Sequence, residues 1–127
     1  MEQQPPKSTD ASASGVDRRK NERYTIQTPV QWRLKEQKPS NWADESLLDI
    51  SISGAAFSAT QALEAGTVVA LRITPPKGAT EDPNHPPVLI NGTVRNSMPI
   101  GDGRFRNGVE FNRIYFLFAE WGRKLRP

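Results

Sequence analysis

Apolar and polar positions alternate along most of this chain, which is the period of half-buried strands. From Tyr24 to Leu34, Ile26, Val30, Trp32 and Leu34 fall on one face and Gln27, Gln31 and Arg33 on the other. Pro29 cannot donate to a ladder, so this strand is expected at an edge or bulged. Trp42 to Ser53 reads as a second strand, with Leu48, Ile50 and Ile52 in phase until Gly54 turns the chain into a third, Ala55 to Thr60. A turn at Ala65-Gly66 precedes a fourth strand, Val68 to Ile73. Thr74 to Pro87 holds five of the 11 prolines and reads as a long surface loop. Val88 to Met98 resumes alternation through Val88, Ile90, Gly92 and Val94. Gly101-Asp102-Gly103 predicts a hairpin turn into a last strand, Arg104 to Phe111, with Phe105, Val109 and Phe111 on one face.

The period then changes. Ile114, Leu117, Phe118, Trp121 and Leu125 recur at helical spacing, which predicts a helix over 112–125 with Asn112 as its N-cap. Arg123, Lys124 and Arg126 sit where the helix dipole favours cations. Six short antiparallel strands followed by one amphipathic helix predict a small barrel or sandwich, with the helix over an open end or face.

Composition narrows the function classes. The length of 127 residues fits one domain. Without cysteine there is no disulfide framework, thiolate metal site or cysteine nucleophile. No apolar run is long enough for a membrane span, and the N-terminus lacks the apolar core of a signal peptide, so a soluble, cytoplasmic protein without membrane insertion is expected. Residues 1–17 are rich in Gln, Pro, Ser and Ala and predict a disordered tail. That tail has a net charge of −2, which leaves +5 on residues 18–127 and favours an anionic partner.

Two stretches carry candidate chemistry. Arg19 and Arg23 are spaced four apart in the lead-in Arg18–Arg23, which lies outside any apolar pattern and is expected to be flexible. Two guanidinium forks suit a planar, multiply anionic ligand, through bidentate bonds to phosphate and stacking on a base. Composition alone favours a solvated charge cluster. In Asp49-x-Ser51-x-x-Gly54 the pleat period puts Asp49 and Ser51 on one outward face, and the glycine admits a close neighbour. A turn in which Asp and Ser bond their own backbone and Gly supplies a positive φ explains this motif equally simply. The functional reading gains from the arginines: a carboxylate accepts from the paired N–H donors of guanine, and arginine forks match its O6/N7 edge. His85 is the only histidine, in a loop without metal-ligand spacing, and no nucleophile–base pair supports catalysis, so neither a metal, a cofactor nor an enzyme is expected.

Arg19-x-x-x-Arg23, a strand, and then Asp49-x-Ser51-x-x-Gly54 resemble the two-part signature of the PilZ domain, a bacterial receptor for cyclic di-GMP. Asn91-Gly92-Thr93-Val94-Arg95 and Gly108-Val109-Glu110-Phe111 look like two further strands of that family, so the resemblance covers residues 18–125. It implies a mainly β fold: a six-stranded antiparallel barrel over 24–111 with a C-terminal helix over 112–125. It implies that Arg19 and Arg23 grip phosphates and guanine edges while Asp49, Ser51 and Gly54 hold a guanine. Arg18, just before the pair, resembles the version that takes an intercalated ligand dimer. The chain further resembles stand-alone members, which act as adaptors whose ligand-bound surface is read by an effector protein. Two alternatives remain: a nucleic-acid-binding barrel, disfavoured by the few exposed aromatics at alternating strand positions, and a ligand-free adaptor with the same fold.

Overall fold

The computed structural model of the chain describes residues 22–38 and 40–125. It contains six strands, β1 (Pro29–Leu34), β2 (Ala43–Ile50), β3 (Gly54–Ala59), β4 (Val68–Ile73), β5 (Val88–Gly101) and β6 (Arg104–Phe111), and one helix, α1 (Leu117–Leu125). All six strand pairs are antiparallel and close into a barrel in the order β1-β2-β3-β6-β5-β4, with β4 returning to β1. The expectations for residues 1–17, Arg18 and Arg19 concern residues outside those described.

β4 and β6 form over the residues at which the sequence places them. β5 runs on through Gly101, and its hairpin to β6 uses positive φ at Asp102 (55°) and Gly103 (71°), as the Gly-Asp-Gly sequence requires. Regular pairing of the first strand starts only at Pro29, while Tyr24 joins the sheet through one isolated bridge to Ile50. A closed barrel has no edge, and Pro29 is accommodated instead as the first residue of its strand.

β2 departs from the simple alternation. Leu47 pairs with Phe57 and Asp49 with Ala56, so a bulge at Leu48 adds one residue and reverses the phase. Leu47 and Ile50 are therefore fully buried although they are three apart, and Leu48 does not share the face of Ile50.

The barrel interior holds Val30, Leu47, Ile50, Phe57, Val69, Leu71, Ile73 and Val94, all essentially without exposure. α1 adds Phe118 and Trp121 to the same cluster. Their rings meet edge-on at 4.9 Å, and Phe118 also packs 5.7 Å from Phe111. The helix starts at Leu117, not at Asn112. The N–H of Asn112 donates to the carbonyl of Asn91 and that of Tyr115 to the carbonyl of Ile52, which ties 112–116 to the barrel rim as a bent, non-helical connection. Ile114, assigned to the apolar helix face by spacing, is consequently half exposed. Tyr24 lies flat on Gly122 of α1, where a Cβ would overlap its ring.

Truncating Phe118 to Ala removes the ring that fills this end of the core. A loss of about 3–5 kcal/mol in unfolding free energy is expected, measured by denaturant titration.

Candidate functional site

The bridge between Tyr24 and Ile50 sets the site. The N–H of Tyr24 donates to the carbonyl of Ile50 (2.8 Å) and the N–H of Ile50 to the carbonyl of Tyr24 (2.9 Å). Arg23, one residue earlier, is thereby brought beside Asp49, one residue before Ile50. Arg23 Nε donates to Asp49 Oδ1 at 2.9 Å and its Nη2 approaches the same oxygen at 2.7 Å. From β6, Arg106 Nη2 donates to Asp49 Oδ2 at 2.8 Å. The carboxylate thus stands between two guanidinium groups from distant parts of the sequence. Its side chain is 19% exposed, against 45% for Arg23 and 30% for Arg106. A carboxylate in this position points away from the core and lies within reach of the arginine lead-in.

Ser51 behaves differently. The regular strand ends at Ile50, so the pleat parity that would align Ser51 with Asp49 does not continue through the turn. Ser51 is fully buried. Its Oγ accepts from the N–H of Ser53 (3.2 Å) and of Gly54 (3.1 Å), and its own N–H donates to the carbonyl of Gly54 (2.8 Å). The expected shared outward face of Asp49 and Ser51 is therefore corrected: Asp49 faces out, and Ser51 locks the backbone turn.

Gly54 does not turn the chain and has no positive φ; it is the first residue of β3. Its lack of a side chain is needed for a different reason, because a Cβ would stand 2.5 Å from the carbonyl oxygen of Val109 on β6. The close neighbour is thus the protein's own backbone. The turn is pinned further by the N–H of Phe111 donating to Ser53 O and that of Tyr115 to Ile52 O, both at 2.8 Å.

Beside this corner lies an open groove of about 670 Å³. The backbone of β3 and β6 at Gly54, Gly108 and Val109 lines it, together with Arg23, Arg95, Arg106, Asn96 and Glu110 and, at one side, Ile114. Arg95 and Glu110 pair across it, Nε to Oε1 at 2.5 Å, with both side chains more than half exposed. Three guanidinium groups against two carboxylates, with amide and backbone groups between them, suit a ligand that carries both anionic groups and N–H donors. Of the sequence-predicted residues, Arg23, Asp49 and Gly54 are brought together here, Ser51 supports them from below, and Arg18 and Arg19 lie outside the described residues. Arg95, Asn96, Arg106 and Glu110 were missed as site residues. The available signal was the outward parity of Arg106 and Glu110 opposite the inward Val109 and Phe111. Among the described residues no group of three or more metal-ligating side chains stands together, and no helix is long and apolar enough to cross a membrane.

Substituting Gly54 by Ala forces a methyl group onto the Val109 carbonyl. A destabilisation of about 1–3 kcal/mol is expected by thermal or denaturant unfolding, with disturbed amide signals at Val109 and Glu110.

No curated protein matches the sequence. Among solved structures, the Bacillus subtilis inhibitor of motility (MotI/DgrA) has the same fold, with a TM-score of 0.62 at 17% identity over 80% of this chain. The match takes in 48% of that protein, so the chain spans about half the length of this structural relative. The family model of the PilZ domain matches residues 17–115, which include the arginine lead-in, the Asp49–Gly54 corner and all six strands, and on this the chain belongs to the PilZ domain family.

Proposed function

We propose that the protein is a cyclic di-GMP receptor and adaptor that closes its arginine lead-in over the nucleotide and presents the changed surface to an effector protein. The observation that carries this reading is the Asp49 carboxylate held between Arg23 and Arg106 at the edge of a cationic groove. Such a groove fits a ligand with two phosphates and two guanine bases. Arg19 and Arg23, with Arg18 before them, supply forks for phosphate oxygens and for the O6/N7 edge of guanine. Asp49 supplies the acceptor for the paired N–H donors on the opposite edge of the base. Ser51 and Gly54 act through shape: the first holds the turn and the second lets β3 and β6 approach, so that a base can lie against backbone.

The nucleotide competes with ion pairs inside the site, because Asp49 is bonded to both Arg23 and Arg106. Each charge-assisted hydrogen bond formed is worth about 1.5–3 kcal/mol. The loss of one arginine then removes a large part of the affinity.

Calorimetric titration of the full chain with cyclic di-GMP tests this. Arg23→Ala and Arg19→Ala are each expected to weaken binding by about ten-fold or more; undiminished binding by either variant overturns the clamp. If wild type binds oligonucleotides with steep salt dependence and no preference for the guanine dinucleotide, the nucleic-acid reading replaces this one. If wild type shows no change at Asp49–Gly54 on addition of the nucleotide, a ligand-free adaptor replaces it.

The exposed Arg95–Glu110 pair competes for one of the groove's cations and is worth about 0.2–1 kcal/mol. Glu110→Gln is therefore expected to tighten cyclic di-GMP binding, by up to about five-fold at low salt. Weaker binding by this variant would mean that Glu110 itself contacts the ligand.

A further inference from the structure

Along β5 the residues Ile90, Gly92 and Val94 are buried, and one more step of the pleat would send Asn96 inward too. The ladder to β6 shifts at that step. Val94 pairs with Val109, but Asn96 pairs with Gly108, the next residue along β6. Arg95 is therefore the extra residue of a bulge, and the phase of β5 reverses beyond it. Asn96 is exposed on the outer wall of the barrel as a result.

The glycine opposite aims its amide. A Cβ on Gly108 would stand 2.7 Å from Asn96 Oδ1, 3.2 Å from its Cγ and 3.3 Å from its Nδ2, so the whole amide lies over the bare backbone of β6. That backbone walls the groove beside Asp49, and Asn96 lines the same groove. Strand register puts Asp49, Ala56, Gly108 and Asn96 on one row across β2, β3, β6 and β5, with only the two smallest residue types between the polar ends. Among the described residues the Asn96 amide makes no hydrogen bond, while its neighbour Arg95 is engaged by Glu110.

The two ends of this row differ in chemistry. The Asp49 carboxylate only accepts. It satisfies the paired N–H donors of guanine, but it would set a lone pair against the ring N1 of adenine. The Asn96 amide both donates and accepts. It can form two bonds with the O6 and N1–H of guanine, and equally two with the N6–H and a ring nitrogen of adenine. We propose that Asn96 reads the second base of the ligand and takes either purine, so that the groove binds a mixed guanine–adenine cyclic dinucleotide as well as cyclic di-GMP. This inference rests on the receptor function proposed above and widens its ligand class. Cyclic di-AMP stays excluded, because one of its bases must face Asp49.

Calorimetry of the full chain with three ligands tests this: cyclic di-GMP, cyclic di-AMP and the mixed cyclic dinucleotide of the same linkage. Wild type is expected to bind the mixed ligand within about five-fold of cyclic di-GMP, since only one of its two orientations puts guanine on Asp49, and cyclic di-AMP about 30-fold or more weaker. Asn96→Asp makes both ends acceptor-only. Its added charge weakens every ligand alike, so the ratio is the readout, and the preference for cyclic di-GMP over the mixed ligand is expected to rise to about 30-fold. Asn96→Ala is expected to weaken both ligands without changing their ratio. A mixed ligand that binds wild type as weakly as cyclic di-AMP does, an unchanged ratio in Asn96→Asp, or undiminished binding of both ligands by Asn96→Ala would each overturn the inference. Tight binding of cyclic di-GMP by wild type beside any of these results leaves the receptor function standing. Wild type that binds none of the three overturns both.

Discussion

Closure of the barrel is the constraint from which the other features follow. Pairing β4 back to β1 removes every sheet edge, and with it the row of unpaired backbone groups that an open sheet must protect. A closed barrel of six strands still has ends through which its apolar interior meets water. Phe118 and Trp121 of α1 join the interior cluster at one end, and that requirement fixes the path of the chain after β6. Residues 112–116 must stay outside the helix and bonded to Asn91 and Ile52 so that the helix begins where its aromatic face can reach the core. Tyr24 packs on Gly122 of the same helix. Arg23 is therefore positioned by the element that completes the core.

The candidate site inherits its rigidity from this arrangement. Asp49 sits after a bulge, at the end of a strand, and its orientation depends on Tyr24 bridging Ile50 and on Arg106 arriving from β6. Ser51 and Gly54 contribute from below the surface, one by satisfying the backbone of the turn and the other by letting two strands come close. The motif Asp-x-Ser-x-x-Gly therefore combines one outward carboxylate with two structural conditions for placing it. Of the simple turn explanation, the part that concerns Ser51 holds, while Gly54 has no positive φ and Asp49 bonds arginines instead of its own backbone.

Legibility in the sequence followed the regularity of the local physics. β4 was readable to the residue because Val68–Ile73 is a run of strong β propensity after the Ala65-Gly66 turn, β6 because Phe105, Val109 and Phe111 keep one face, and the Gly101–Gly103 hairpin was equally plain. The phase of β2 was not, since a bulge at Leu48 leaves no mark that apolar spacing alone reveals in a run such as Leu47-Leu48-Asp49-Ile50. The helix start was misplaced because Ile114 continues the helical spacing by coincidence, while the N–H groups of Asn112 and Tyr115 are taken by the barrel. Arg106 and Arg95 escaped notice as site residues because each reads as an ordinary outward charge on a strand.

The sequence by itself determined the strand-rich character, the hairpin, the amphipathic helix and the family signature, because these rest on spacing within a few residues. It also identified Arg23, Asp49 and Gly54 as belonging together, through a motif and not through geometry. Tertiary structure decided which groups share a surface. Arg106 meets Asp49 across 57 positions of sequence, Ser51 turns inward where parity sent it outward, and Trp32 packs against Phe57 in the core. Those outcomes depend on strand register and on how the barrel's ends are filled, and both are set by contacts between residues far apart in the chain.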